Sequence, residues 1–123
     1  MIFLKPLEDI NDIKAYFEKS SIEYNENSGC VICKDGETVL GFSLYDLNSE
    51  KMVVKYIEPL GDIGLADGIL RSTLHVSAER GVMDAFYEER LENFVSKINF
   101  IKNIEEKRLD IDKLFQSCCS CGK

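Results

Sequence analysis

The chain has no surplus of basic residues, no long apolar run and only one histidine, and each shortage removes a class of function. Lys and Arg number 15 against 22 Asp and Glu, a formal net charge of -7. Gripping a phosphate backbone needs a basic face, so no nucleic acid is expected as a partner. Nothing approaches the roughly 20 apolar residues of a bilayer-spanning helix, and no membrane is expected either. Residues 1–6 also lack the charged and long apolar regions of a secretory signal, which points to a cytoplasmic protein. With His75 alone, spacing reveals no arrangement of Ser, His and Asp; its i+4 neighbour Glu79 gives it a surface pair or a partly buried packing role. Low-complexity stretches, repeats and linkers are absent.

What is present is the composition of an ordinary folded protein: 45% hydrophobic and 30% charged residues in a chain of 123. That length suits one core and is too short for two ordinary domains. Five cysteines without a secretory signal read as thiols, metal ligands or redox groups rather than as a disulfide framework.

Met1 to Leu4 is a short apolar run that predicts a strand. Pro6 with acidic Glu8, Asp9 and Asp12 then opens a helix carrying Ile10, Ile13, Phe17 and Tyr16 inward. Asn25 to Gly29 turns the chain into an apolar run, Cys30 to Cys33. Asp35-Gly36 is a hairpin signal before a strand over Thr38 to Leu47. Asn48-Ser49 turns it again into β-branched and aromatic Met52 to Ile57, ended by Pro59 and Gly61. A three-strand antiparallel meander follows.

From Asp62 to Arg80, Leu65, Ile69, Leu70, Leu74 and Ala78 recur at helical spacing, and Gly81 stops the helix. Val82 to Tyr87 reads as a strand parallel to Met52–Ile57, because the helix between them is a natural right-handed crossover. Glu88 to Ile98 is an amphipathic helix with Leu91, Phe94, Val95 and Ile98 on one face. The tail adds one or two edge strands around Phe100 to Ile111. The fold class is therefore α/β, with a mixed sheet, an antiparallel meander, a parallel central strand pair and flanking helices.

That order of elements, together with the segment Gly61-Asp62-Ile63-Gly64-Leu65-Ala66 between the fourth strand and the long helix, resembles the GNAT superfamily of acyl-CoA N-acyltransferases. The resemblance covers residues 1–117 as a GNAT-like domain, with 118–123 as a cysteine-rich tail. The family's cofactor motif there is Gln or Arg, two residues, Gly, one residue, then Gly or Ala. Gly64 and Ala66 meet its need for small residues, which let unpaired helix-start amides approach a pyrophosphate. Gly61 stands where Gln or Arg is usual, and Asp62 brings a negative charge. As a purely structural segment the same residues turn the chain into the helix, with Asp62 as its N-cap.

The resemblance implies that acetyl-CoA is the cofactor, held along Gly61, Asp62, Ile63, Gly64, Leu65 and Ala66. Its acyl arm would lie in the splay between the fourth and fifth strands, against the backbone of Tyr56 and Ile57. Backbone donors aimed at a developing oxyanion ask nothing of side-chain identity. Glu58, at the strand end, is the best placed carboxylate for a general base that deprotonates an amine. Two family residues have no counterpart: counting back from Asn99-Phe100 puts Val95 where a Tyr usually protonates the departing thiolate, and Glu88 where an Asn is usual. Tyr87 is a distant substitute.

Cys30-x-x-Cys33 with Cys118, Cys119 and Cys121 supplies enough thiolates for zinc or an iron-sulfur cluster. Val31 and Ile32 read as strand interior, however, which sends Cys30 and Cys33 to opposite faces. The expectation is acetyl transfer onto an amine, either a small molecule or a protein lysine, with a homodimer able to complete a pocket in so short a chain. The alternative is a non-catalytic GNAT-like binding module that is metal-binding or redox-sensing through its cysteines.

Overall fold

In the computed structural model, which describes residues 1–115, the chain is one sheet with helices on both faces. Strand β1 (Ile2–Pro6) leads to helix α1 (Ile10–Lys19), the meander β2 (Ser28–Asp35), β3 (Thr38–Leu47) and β4 (Met52–Glu58), and the long helix α2 (Ile63–Glu79). Strand β5 (Ala85–Tyr87), a 3-10 turn at Glu89–Leu91, helix α3 (Glu92–Lys97), β6 (Ile101–Asn103) and β7 (Arg108–Leu109) complete it. The seven strands lie in the order β1-β2-β3-β4-β5-β7-β6. Neighbours are antiparallel except for β4 and β5, which α2 joins as a crossover. The fold class read from the sequence is the one observed.

Both main helices start on an aspartate. Asp9 accepts the Asn11 amide at 2.8 Å, and Asp62 accepts the Leu65 amide at 3.1 Å, each satisfying an otherwise unpaired donor at a helix start. Helix α2 buries Ala66, Ile69, Leu70, Thr73 and Leu74 against β3 and β4, so its apolar stripe decides which sheet face it covers. Between α2 and β3 the buried hydroxyls of Ser43 and Thr73 meet at 2.5 Å, and the Thr73 hydroxyl also donates to the Ile69 carbonyl. No buried side-chain polar atom is left without a partner among the described residues.

Four details depart from the expected pattern. Ile10, expected inward, is 59% exposed, because it opens α1 and the helix meets the sheet only from Ile13 and Phe17 onward. The strand expected from Val82 begins at Ala85: the Val82 amide and carbonyl both bond to Ser77, and Gly81 adopts a φ of 76° to close the helix end. The helix expected over Glu88 to Ile98 divides into the 3-10 turn and α3. Of the two tail strands only β6 is an edge, since β7 inserts between β5 and β6.

Candidate active site

Strand β4 outruns its parallel partner, and that mismatch builds the site. β5 pairs with β4 only from Met52↔Ala85 to Val54↔Tyr87, and the last bond across is from the Glu88 amide to the Val54 carbonyl at 3.1 Å. There the chain turns away into the 3-10 helix, while Lys55 to Glu58 continue, held on the other side by β3. The outcome is a gap between the two strands.

A β-bulge decides what faces the gap. Leu44 pairs with Tyr56 but Tyr45 pairs with Val54, so Lys55 is the extra residue, and its ammonium is held by Asp46 at 2.7 Å. The insertion resets the alternation of β4: Ile57 returns to the α2-side core beside Met52 and Val54. Met52 and Val54 direct their backbone groups to the β5 side, as the 2.9 Å bond from the Met52 amide to the Asp84 carbonyl shows. By the same geometry the Ile57 backbone points into the gap.

Tyr56 takes the opposite face, and its hydroxyl donates to Glu58 Oε1 at 2.7 Å. That bond, with burial and the Glu58 charge behind it, raises the Tyr56 pKa, and Arg90 works the other way. Arg90 lies in the 3-10 turn and pairs with Glu88 at 3.2 Å. Tyr56, Glu58, Glu88 and Arg90 therefore collect at one end of β4. From sequence Tyr56 has only a backbone role and Arg90 none, because pairings across the sheet leave no local pattern.

Gly41 was also missed. A Cβ there would stand 2.5 Å from the Glu58 carbonyl oxygen, 2.8 Å from Ile69 Cδ1 and 2.9 Å from Pro59 Cδ. Only glycine lets β3 pass so close beneath the end of β4. An isolated glycine within a strand is the signal that could have found it.

Beyond Pro59 the chain reaches the segment Gly61 to Ala66. A Cβ on Gly61 would meet nothing, and one on Gly64 would meet only Asp62 Oδ1 at 3.9 Å, so this surface is open to an approaching group. Asp62 takes two of the helix-start amides itself, Leu65 through its side chain and Ala66 through its carbonyl. The Ile63 and Gly64 amides remain for a phosphate. Shape and donors fit such a group, whereas the Asp62 charge opposes it.

Other expected residues stand elsewhere. Val95, in the position of a thiol-protonating Tyr, is fully buried, and Tyr87 is a core residue whose hydroxyl reaches Glu92 at 3.3 Å. His75 is exposed, lies edge-on to Phe115 and lines a cavity of about 500 Å³ with Leu4 and Pro6. That cavity is between β1 and α2, and His75 itself lies more than three helical turns from the Asp62 cap.

The cysteines of β2 are split by the sheet as expected: Cys30 packs on the α1 side and Cys33 on the α2 side. Burial pushes the Cys30 thiol up to about 12, the opposite of what a metal-ligating thiolate needs. No group of His, Cys, Asp and Glu suited to a metal occurs among the described residues. Cys118, Cys119 and Cys121 lie outside them.

No family model matches the sequence, and no curated protein matches it. Solved structures do. The ribosomal-protein-S18-alanine N-acetyltransferase of Escherichia coli superposes with a TM-score of 0.58 over 88% of this chain and 88% of that one, at 11% identity. The fold is that of the GNAT acetyltransferases. A GNAT family acetyltransferase from Streptococcus pneumoniae gives a TM-score of 0.55 at 15% identity, covering 82% of this chain and 88% of its own. A GNAT enzyme from Elizabethkingia anophelis, solved with acetyl-CoA bound, gives 0.55 at 11% identity over 80% and 74% of the two chains. This chain thus shares the GNAT architecture while lacking sequence kinship that a family model detects.

Proposed function

We propose that the chain is an acetyl-CoA-dependent N-acetyltransferase acting on an amine. The observation that carries this reading is the gap beside Lys55–Glu58, where β5 has ended and the bulge has turned the Ile57 backbone outward. An open strand edge can pair with the amide-rich arm of an acyl-CoA, as a peptide adds to a sheet edge. Tyr56 and Ile57 would hold that arm, and the Ile63 and Gly64 amides, with Gly61, Leu65 and Ala66 shaping the turn, would meet the phosphates. A thioester supplies the activated acyl group. Glu58, exposed at the mouth of the gap, would take the proton of the attacking amine. The acetyl-CoA bound to the similar GNAT structure supports the choice of donor.

The test is calorimetry of the reduced protein with acetyl-CoA. Micromolar binding, weakened at least about tenfold by Gly64→Leu, is expected, because a bulky side chain would stand over the helix-start amides. No heat up to millimolar acetyl-CoA would reject the reading.

A second reading, a GNAT-like module that binds without transferring, is favoured by two features: Asp62 already caps the helix, and apolar Val95 replaces a phenol. Binding of acetyl-CoA with no acetylated product from any primary amine would select it.

A further inference from the structure

On the α1 side of the site, three rings pack in a row that leads to Glu58, Tyr16 and Tyr56 half-buried and Phe42 buried between them. Tyr16 and Phe42 lie with centroids 4.7 Å apart, and Phe42 and Tyr56 5.9 Å apart. Phe42 stands opposite Glu58 in the β3–β4 register, and Tyr56 is bonded to the same carboxylate. The face ends at the group positioned to accept a proton.

A cation already sits on it. The Lys19 ammonium is 5.3 Å from the Tyr16 centroid and 5.4 Å from that of Phe42. The surface of this chain is rich in carboxylates, yet Lys19 makes no ion pair among the described residues. Its ammonium rests on the rings, whose π faces attract a cation within about 6 Å. Lys19 is exposed at the end of α1 and can swing away without disturbing the core, since its long stem has many rotamers.

We propose that the face of Tyr16, Phe42 and Tyr56 is an alkylammonium subsite, held at rest by Lys19 and taken over by an unbranched primary amine. The four-carbon stem of Lys19 shows the shape that fits. That this amine is the acetyl acceptor rests on the acetyltransferase reading; that it binds here does not.

The experiment is an NMR titration with n-butylammonium chloride, n-butanol serving as the uncharged control. Lys19→Met keeps the stem and removes the competing charge, so it should tighten butylammonium binding about fivefold or more, with shifts centred on Tyr16 and Tyr56. Adding Tyr16→Leu to that variant should weaken binding several-fold, and Tyr16→Phe should restore it, which a merely structural role for the residue would not distinguish. Equal binding before and after Lys19→Met, or equal shifts with butanol, overturns the subsite. Butylammonium binding with no acetyl-CoA binding would leave the subsite standing and remove the acetyltransferase, and the reverse pattern would do the opposite.

Discussion

On the α2 face of the sheet, Val54, Ile57, Ile69, Leu70 and Leu74 close an apolar core, which meets β3 also through the hydrogen-bonded pair Ser43 and Thr73. On the α1 face a smaller cluster around Phe17, Cys30, Phe42 and Leu44 is fringed by Tyr16, Tyr24 and Tyr56, rings with polar ends that reach water. The same strands serve both faces, because alternate side chains point opposite ways. The α2 face contributes most of the apolar burial, and the α1 face keeps hydroxyls, an ammonium and Glu58 near the surface. β4 carries both roles, and its bulge at Lys55 is where one gives way to the other.

That division can be broken deliberately. Leu74→Ala empties a fully buried position under α2 and should cost about 3–4 kcal/mol in denaturant unfolding. A loss below about 1 kcal/mol would mean the α2 face is not the main core. Next in size is Gly41→Ala, whose methyl would press on the Glu58 carbonyl and Pro59. It should destabilise by about 1–3 kcal/mol and, unlike Leu74→Ala, should also weaken acetyl-CoA binding by displacing the end of β4. Equal damage to binding from both variants would erase the distinction between a core position and a site position.

Alkali probes the α1 face. Burial pushes the Cys30 thiol from its ordinary 9.0 up to about 12, so the folded state favours the neutral form. Its contribution to stability is complete below pH 9 and is lost as pH rises toward 12. At about pH 10 the loss is on the order of 1 kcal/mol, and Cys30→Ala should remove that part of the pH dependence. Unchanged alkaline sensitivity in the variant would show that the raised tyrosines, Tyr45 by its burial and Tyr56 by its bond to Glu58, dominate instead. The smallest effect belongs to Tyr56→Phe, which removes one exposed hydrogen bond and should change stability by less than about 1 kcal/mol. If it unfolds the chain, the α1 face is structural after all.

Comparison with the sequence shows which features local chemistry can announce. The Asp62 cap, the Asp35-Gly36 hairpin, the α2 stripe and the opposed Cys30 and Cys33 were all legible, since each follows from residues a few positions apart. The candidate site is legible only in part: Glu58, Tyr56, Ile57 and the Gly61–Ala66 segment come from the resemblance more than from periodicity, and their roles belong to the proposal above. Arg90, Gly41 and the ring face of Tyr16, Phe42 and Tyr56 were not, because their partners are brought near only by sheet pairing and helix docking.

By itself, the sequence determined the order and type of the elements and the face each presents to a core, for these depend on apolar spacing, capping residues and turn chemistry. Tertiary structure decided how far β5 runs beside β4, where the bulge falls and which side chains meet at Glu58. Those depend on register between segments distant in the chain, and a one-residue shift there turns every side chain and backbone group to the other side.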